Sequence, residues 1–540
     1  VEYNGPALAS STRYFYRVKI TDNHGQESPW SDVAYFETAM LDNSQWKAHF
    51  ITPEKMGAGN SSRGYLLRKE FVLDGEIEFA RIYSTALGLY ELSLNGCRVG
   101  DELLTPGWTA YKKRLQYQTY DVTNMLRNGI NVIGATIGCG WYKGDLASWQ
   151  GRHIFYGDRN ALLLQMLICY KDGREQLILS DESWKTTDGP ILYSEFYHGE
   201  IYDARLEQNG WDSPSFDDSN WRSVEIIDYD MSILTPQDGL PVKRQENFKP
   251  ISFITTPKGE RVLDFGQNLA GWVKFTVKGK AGDRVVLRHA EVLDAAGNFY
   301  TENLRSAKAR IEYILKGGPV ETFEPHFTFQ GFRYVMVEEY PGDLLPEAFT
   351  AVVIHSDMEP TGSFSCSNEL LNKLQHNILW GLKGNFVDIP TDCPQRDERL
   401  GWTGDAQVFI RTACYLMGTA PFFKKWLRDL KAEQFENGGI PHVIPNVLIK
   451  IYENGKLIQD DNSSCGWGDA AVICPWTVYQ CYGDHRILEE QYECMKGWVE
   501  YIRSQAQDGV LWNTGIHYGD WCALDAKEGS CFGATPNDFV

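Results

Sequence analysis

The sequence predicts a multidomain protein in which N-terminal β-sandwich domains precede a helical domain. Up to about residue 358, short apolar stretches alternate with polar residues and are separated by turn-forming residues, as is typical of strands. From about residue 365 onward, apolar residues recur every three or four positions, as is typical of helices. With 540 residues the chain is also too long for a single core, so we expect about three or four domains.

The first forty residues predict the end of a sandwich domain. Tyr14 and Tyr16 begin an alternating strand, residues 22–25 form a turn, and residues 34–38 form a second strand. This pair resembles the last strands of a fibronectin type III domain. Because about forty residues are too few for a whole sandwich, we interpret residues 1–40 as the C-terminal remnant of such a domain.

Two further β segments follow. In residues 41–235, the dipeptide at residues 95–96, Asn-Gly, ends an alternating strand and indicates a hairpin. In residues 236–360, Val273 and Phe275 belong to another alternating strand. We predict one β-sandwich domain in each segment.

Residues 361–540 predict the helical domain. Leu370 and Leu374 open a helical stripe behind a possible cap at Ser367. Pro421 lies where the first turn of another helix is expected. The clearest stripe comprises Leu488, Tyr492, Met495, Val499 and Ile502.

Composition excludes several classes of protein. The net charge of −20 argues against nucleic-acid partners and anionic membrane surfaces, since both require basic patches. The longest apolar stretch, residues 161–170, is too short to span a bilayer. The twelve cysteines form no CxxC pair, so we predict neither a zinc ribbon nor a disulfide scaffold, and we interpret them as free, mostly buried thiols.

The most informative segment is the acid loop, residues 392–405, which contains proline, two glycines and many charges. Glycoside hydrolysis requires one protonated acid and one ionised carboxylate, and crowded carboxylates raise the pKa of at least one of them. The arginines oppose that shift, so the sequence does not say which acid keeps its proton. A solvated, salt-bridged loop is the alternative interpretation. The charged and aromatic residues are Asp392, Arg396, Asp397, Glu398, Arg399, Trp402 and Asp405.

Three other segments of the helical part carry acids close to aromatic residues or histidine. Trp467 and Asp469 precede an apolar segment, Asp520 and Trp521 lie near the end, and residues 436–442 contain a glutamate and a histidine. Aromatic faces stack on sugar C–H surfaces and carboxylates accept hydrogen bonds from hydroxyls. Core tryptophans and helix-capping aspartates are the alternative interpretation of each segment taken alone.

These motifs resemble bacterial α-L-rhamnosidases of glycoside hydrolase family 78. The acid loop closely matches the signature loop of that family, and the segments around Trp467 and Trp521 resemble its downstream active-site loops. Residues 199–205, 265–272 and 331–334 also resemble family segments.

The resemblance implies a role for each matching residue. Glu398 is implied as the general acid. Asp392, Arg396, Trp402 and Asp405 are implied to line the rhamnose subsite, with Trp467, Asp469, Asp520 and Trp521 as further candidates for the same pocket. The helical domain is implied to be the first half of an (α/α)₆ barrel, and the general base is implied to be a glutamate beyond Val540.

The implied function is inverting hydrolysis of terminal α-L-rhamnose from glycosides or polysaccharides, with no cofactor and no metal. The partner is then a rhamnose-containing carbohydrate, without nucleic acid and without a membrane span. A related barrel hydrolase specific for another sugar, or a non-catalytic rhamnose-binding protein, are the alternatives. By analogy with exported β-sandwich proteins we expect a periplasmic or extracellular location. The sequence predicts no oligomeric state.

Overall fold

The structure, a computed structural model, describes residues 3, 5–54, 62–150, 154–448, 451–453, 456–459, 463–506, 509–515, 517–519 and 521. Its first element is an antiparallel hairpin of β1 (Arg13–Tyr16) and β2 (Ala34–Glu37). Phe15 and Tyr35 on this hairpin are 67% and 58% exposed. The hairpin is tied to the next domain by the hydrogen bond between the Tyr83 and Ser11 hydroxyls, which are 2.7 Å apart.

Two sheets build the first β domain. The strands of the first sheet are β3 (Phe50–Thr52), β5 (Ile77–Leu87), β8 (Leu115–Asp121), β10 (Ala161–Tyr170), β11 (Glu175–Leu179), β16 (Glu225–Ile227) and β17 (Leu234–Pro236). Those of the second are β4 (Tyr65–Leu73), β6 (Leu89–Leu94), β7 (Cys97–Arg98), β9 (Gly129–Gly138), β12 (Lys185–Asp188) and β15 (Arg222–Ser223). The order is β16-β3-β10-β5-β8-β17, with β11 beside β10, in the first, and β15-β12-β4-β9-β6-β7 in the second.

Alternation of apolar residues explains why these strands form a sandwich. Ile82 and Leu164 of the first sheet share one buried core with Leu92 and Ile133 of the second, because alternate side chains of a strand point to the same face. The predicted hairpin is confirmed: Asn95 and Gly96 join β6 to β7 with φ angles of +54° and +82°. Both residues therefore take the left-handed conformation that this turn requires.

A ten-stranded sheet forms the second β domain. Its strands are β13 (Ile191–Glu195), β14 (Gly199–Asp203), β18 (Val242–Phe248), β19 (Ser252–Thr255), β20 (Arg261–Val277), β21 (Arg284–Ala290), β22 (Arg310–Ile314), β23 (Glu321–Phe323), β24 (Gln330–Glu339) and β25 (Phe349–Ser356). The order is β13-β14-β22-β21-β24-β20-β25-β18, with β19 and β23 beside β20. The β13–β14 hairpin comes from within the predicted 41–235 segment but pairs with β22, a long-range pairing that local strand patterns do not reveal.

The helical domain follows these sheets, so the predicted order of β domains and helices is confirmed. Its helices are α2 (Glu369–Asn385), α3 (Thr403–Leu416), α4 (Ala420–Glu433), α5 (Ala470–Tyr482) and α6 (Arg486–Gln505), whereas α1 (Gly140–Lys143) is a single turn in the first β domain. Two short antiparallel pairs accompany them, β26 (Phe386–Val387) with β27 (Ile389–Pro390) and β28 (Ile451–Glu453) with β29 (Lys456–Gln459). Helix α5 packs against α3, α4 and α6.

Two details of the helices differ from the prediction. The cap of α2 is Asn368, whose side chain accepts a hydrogen bond from the amide of Leu370, and not Ser367. The buried face of α6 is Ile487, Gln491, Cys494, Trp498 and Tyr501. The predicted stripe lies beside that face, because adjacent faces of this helix both carry apolar residues and periodicity alone does not choose between them.

A buried polar contact joins the first β domain to the helical domain. Asp388, between β26 and β27, accepts hydrogen bonds from the backbone amide of Trp108 at 2.5 Å and from the Lys425 ammonium at 2.8 Å. Lys425 is 1% exposed and Trp108 is fully buried. Because both partners of this ion pair are buried and hydrogen-bonded, the contact fixes the chain immediately before the acid loop.

The described cysteines are unbridged thiols, among them the buried Cys139, Cys169, Cys393, Cys414, Cys474 and Cys494. None of the described helices is both long enough and apolar enough to cross a membrane.

Candidate active site

The acid loop connects β27 to α3 and is closed on itself. The backbone amide of Asp392 donates to the carbonyl of Leu400 at 3.0 Å, and the amide of Leu400 donates to the Asp392 carboxylate at 2.9 Å. The sequence predicted a loop throughout, but α3 already begins at Thr403, so Asp405 lies in its first turn. Position 404 favours glycine although it lies in a helix, because a β-carbon there would lie 2.9 Å from the ring of Trp467.

Arg396 lies between two buried carboxylates. Its Nε donates to Oε2 of Glu398 and its Nη2 donates to Oδ2 of Asp392, each at 2.8 Å. The indole N–H of Trp402 donates to the other oxygen of Glu398, Oε1, at 3.0 Å. The side chains of Asp392 and Glu398 are only 6% and 10% exposed. The loop therefore brings four of the predicted site residues into one hydrogen-bonded group.

The electrostatics of this group differ from residue to residue. Burial and the nearby charge of Glu398 raise the pKa of Asp392 to about 7, although Arg396 opposes the shift. Burial also raises the pKa of Asp405, again with a contribution from Glu398. Burial is thus the main cause of the raised pKa of Asp392, the crowding predicted from the sequence adds to it through Glu398, and Asp392 holds a proton in acidic solution.

Aromatic side chains complete a cavity of about 90 Å³ above the acid loop. Measured between ring centroids, Tyr518 lies 4.7 Å from Trp467, 5.8 Å from Trp521, 6.0 Å from Trp402 and 4.9 Å from the imidazole of His442. The cavity is lined by Asp392, Arg396, Glu398, Trp402, Asp405, Trp467, Tyr518 and Trp521. A neighbouring space of about 320 Å³ shares Asp392 and Asp405.

One of the predicted pocket residues, Asp469, does not line this cavity in the part of the chain that the structure describes. Asp469 accepts hydrogen bonds from the amide of Gly466 and from the indole of Trp498, each at 2.9 Å, so its carboxylate serves the loop before α5. Asp520 lies outside the described residues. Trp521 lines the cavity and is 50% exposed, which is consistent with a position at its mouth.

The β domains supply contacts that the sequence analysis did not identify. Arg305, in the turn after residues 302–304, donates from Nη1 to Oε2 of Glu398 at 3.0 Å. The Ser306 hydroxyl donates to Asp397 at 2.5 Å, and the Tyr197 hydroxyl donates to the carbonyl of Glu398 at 2.6 Å. These residues lie roughly ninety to two hundred positions before the acid loop, so no spacing signal in the sequence connects them with it.

Arg399 anchors the acid loop to the β domains. Its Nη1 donates to the carbonyls of Phe196 and Phe329 at 3.2 and 2.6 Å, and its Nη2 donates to the amide oxygen of Gln330 at 3.1 Å. The side chain is almost fully buried, and burial lowers its pKa to about 10. The guanidinium remains charged at neutral pH and is balanced by carbonyl dipoles.

One group of potential metal ligands lies within the loop. Ligand atoms of Asp392, Cys393 and Glu398 are within 4.8 Å of one another. The Arg396 guanidinium already pairs with both carboxylates, and the Cys393 sulfur accepts the amide hydrogen of Arg399 at 3.4 Å. The cation in this donor set is therefore an arginine side chain, and the arrangement suits acid–base chemistry better than metal coordination.

Family models match four successive parts of the chain. Residues 1–42 match the Rha78A-like N-terminal immunoglobulin domain, and residues 75–246 match the α-L-rhamnosidase N-terminal domain. Residues 254–355 match the bacterial α-L-rhamnosidase concanavalin-like domain, and residues 359–540 match the bacterial α-L-rhamnosidase six-hairpin glycosidase domain.

Individual proteins are similar over nearly the whole chain. An α-L-rhamnosidase of Formosa agariphila is 39% identical over 552 aligned residues, covering 100% of this chain and 58% of the relative. The crystal structure of an α-L-rhamnosidase from Aspergillus terreus is 42% identical with a TM-score of 0.90, covering 97% of this chain and 60% of that one. A Streptomyces avermitilis α-L-rhamnosidase complexed with L-rhamnose is 33% identical with a TM-score of 0.89, covering 98% and 66%. The chain thus spans between half and two thirds of the length of these relatives.

Proposed function

The chain belongs to the bacterial α-L-rhamnosidase family, glycoside hydrolase family 78, and on this premise we propose that it supplies the acid-bearing part of an active site that hydrolyses terminal α-L-rhamnose from glycosides or polysaccharides. The observation that supports this most directly is the buried group of Glu398, Arg396 and Asp392 beneath an aromatic cavity. The relatives are α-L-rhamnosidases, and one structural neighbour is complexed with L-rhamnose.

In this proposal Glu398 is the general acid that protonates the departing glycosidic oxygen. Arg396 and Arg305 both donate to its Oε2, whereas Oε1 receives one hydrogen bond from the described residues, that of Trp402. In this proposal the remaining lone pair of Oε1 carries the transferable proton. Trp402 fixes the plane of the carboxyl group and with it the direction of proton transfer.

The other lining residues bind the sugar ring. A carboxyl whose pKa is raised to about 7, as at Asp392, is partly protonated near neutrality and both donates to and accepts from sugar hydroxyls. Arg396 contributes charged donors, and the faces of Trp467 and Tyr518 offer surfaces on which the apolar side of the ring stacks. The indole N–H of Trp467 has no partner among the described residues and is a further donor.

We further propose inversion at the anomeric carbon, as the family implies. An inverting enzyme requires a second carboxylate about 6.5–9.5 Å from the acid to activate water. We assign that role to no residue of this chain. The proposal that α2–α6 belong to an (α/α)₆ barrel is supported by exposed apolar residues on which further helices would pack: Leu370 (80%), Leu374 (53%), Val408 (78%), Trp476 (47%) and Tyr492 (59%).

The test is Glu398→Gln in the full-length protein, assayed with aryl α-L-rhamnosides. We expect kcat to fall by about 10²- to 10⁴-fold for a poor leaving group, as for loss of a general acid. For a leaving group that departs without protonation the loss should be much smaller. Glu493→Gln, an exposed acid on α6, is the matched control and should leave kcat unchanged.

Three outcomes would contradict the proposal. Normal turnover by Glu398→Gln would remove Glu398 from the mechanism. Faster hydrolysis of another aryl glycoside would indicate a related hydrolase with a different sugar specificity. Rhamnose binding in calorimetry without hydrolysis by the wild type would favour a sugar-binding protein. Export to the periplasm or the exterior is a separate proposal, which cell fractionation would test.

A further inference from the structure

Arg305 reaches the catalytic carboxyl from a different domain and from outside the sugar cavity. It follows the short helical turn of residues 302–304, between β21 and β22, and its Nη1 lies 3.0 Å from Oε2 of Glu398. It is not among the residues that line the cavity above the acid loop. Glu398 thus lines the cavity and is also contacted by Arg305, a residue outside that lining.

The backbone holds Arg305 in an uncommon conformation. Its φ and ψ angles are +57° and −118°, a sparsely populated and strained region for a residue with a β-carbon. The flanking residues hold it there, since Leu304 is fully buried and Ser306 donates to Asp397 from both its amide and its hydroxyl. The strained residue is therefore fixed next to the general acid.

Most of the guanidinium of Arg305 is not used by the protein. Its side chain is 46% exposed, and Nη1 is the nitrogen that contacts Glu398 and, at 3.7 Å, Asp397. Nε and Nη2 make no hydrogen bond with the residues that the structure describes. Arg396, by contrast, divides its donors between Glu398 and Asp392, and Arg399 is occupied by backbone and amide oxygens. Of these three arginines, Arg305 has the most exposed side chain, at 46% against 29% for Arg396, and a single nitrogen engaged by the described residues.

The position of Arg305 identifies which part of a substrate it would meet. The general acid gives its proton to the oxygen that joins the rhamnose ring to the leaving group. With the ring in the aromatic cavity, the leaving group must lie beside Glu398 to receive its proton, and the half-exposed Arg305 guanidinium, 3.0 Å from Oε2 of Glu398, is then within its reach. A planar guanidinium with two free N–H donors matches the two oxygens of a carboxylate.

We propose that Arg305 is a specificity residue that recognises a carboxylate on the sugar next to the scissile bond. This inference rests on the proposed function and deepens it. The preferred substrate class is then rhamnose linked to a uronic acid, as a side group or end group of an acidic polysaccharide, in preference to rhamnose linked to a neutral sugar. The chain carries a net charge of −20, which repels anionic polymers at long range, and a cation beside the leaving group opposes that repulsion locally.

The experiment compares two matched disaccharides with the full-length protein. One is an α-L-rhamnosyl uronate, and the other is the same compound with its carboxylate reduced to the primary alcohol. The wild type should favour the uronate by about 10- to 100-fold in kcat/KM, the range expected for one charge-assisted pair. Arg305→Gln should bring the ratio close to one, and Arg305→Lys, which keeps the charge but not the fork, should retain part of it.

Arg205→Gln is the matched control, because Arg205 is 49% exposed, pairs with Asp203 and is not part of the cavity wall. It should keep the wild-type ratio. If Arg305→Gln lowers kcat/KM for both disaccharides by the same factor, Arg305 only positions Glu398 and the inference is wrong. A wild type that does not favour the uronate also overturns it.

A binding measurement covers the case in which Arg305→Gln is too slow to assay. In a Glu398→Gln background, calorimetry with the two disaccharides should show a preference for the uronate that disappears when Arg305→Gln is added. Equal affinities in the single variant would refute the inference. Failure of the proposed function gives a different result, namely no rhamnose released from either disaccharide by the wild type.

Discussion

Replacing Arg399 by methionine tests how the acid loop is held in place. Arg399 is 4% exposed, and three of its acceptors belong to the β domains: the carbonyls of Phe196 and Phe329 and the amide oxygen of Gln330. All three of these residues are buried. Methionine has similar length but no donor, so the Phe329 carbonyl and the Gln330 amide oxygen would lose this partner while remaining away from water. The Phe196 carbonyl would keep its hydrogen bonds from the Thr328 hydroxyl and the Gln330 amide.

The expected size of the effect follows from these contacts. A buried acceptor without a partner costs about 1–3 kcal/mol. Two such acceptors in the lower part of that range give about 2–4 kcal/mol, which is at the upper end of the usual effects of single substitutions. Because the contacts join the loop to the β domains, the loss should appear as local opening of the loop more than as unfolding of the sheets.

Hydrogen exchange followed by mass spectrometry is the suitable assay, since a multidomain protein has no single free energy of unfolding. A loss of about 2–4 kcal/mol corresponds to a decrease of about 30- to 800-fold in protection. The decrease should be confined to peptides covering residues 391–402. Arg174→Met is the control: Arg174 is 52% exposed and forms surface ion pairs, so protection should hardly change. Wild-type protection of the acid loop in Arg399→Met would refute the reasoning.

Three further predictions concern Asp392, Gly331 and His326. Asp392→Asn should remove an ionisation near pH 7 from the pH profile of kcat/KM, because burial and the adjacent carboxylate raise the pKa of Asp392 from 3.8 to about 7. Between pH 3.8 and 7 this carboxyl is protonated in the folded state and ionised in the unfolded state. The wild type should therefore lose stability relative to the variant as the pH rises through this range. Gly331→Ala should lower kcat by about 10- to 100-fold with little change in Tm, because the new β-carbon would lie 2.9 Å from Cβ of Gln395 and displace the acid loop; an unchanged kcat would contradict this. At His326, burial disfavours the charged imidazolium, but the Glu91 carboxylate outweighs this effect and raises the pKa of His326 from 6.5 to about 9. The stability that this ion pair contributes should therefore be complete below pH 6.5 and lost as the pH rises through 9. Calorimetric Tm values should show that loss, and His326→Asn should abolish it.

Local sequence patterns were sufficient for the order of domains and for the composition of the acid loop. The hairpin at Asn95 and the helix starting beside Pro421 depend on the backbone preferences of one or two residues, which a sequence displays directly. The same holds for Arg396 and Glu398, which are two positions apart and meet in the structure. Aromatic residues from three segments, with Tyr518 at the centre, also meet as the loop composition suggested.

Other features depend on pairing over long distances and left no local signal. Arg305 lies 93 positions before Glu398, and nothing in its own segment marks it as a site residue. The β13–β14 hairpin joins the ten-stranded sheet through β22, more than a hundred residues later in the chain. The sequence predicts Asp469 as a sugar ligand because Trp467 lies two positions before it. In the structure its carboxylate instead accepts a hydrogen bond from the indole of Trp498, a contact that depends on the packing of α6.

The ties between the β domains and the acid loop have a consequence for recombination. A chimera that grafts the helical domain onto foreign β modules would keep every residue of the acid loop, and any motif search would count its active site as intact. It would nevertheless lack Arg305 and Ser306, and the carbonyls that hold Arg399 would be replaced. The unit that can be exchanged without loss of the contacts that hold the acid loop is therefore the helical domain together with both β domains.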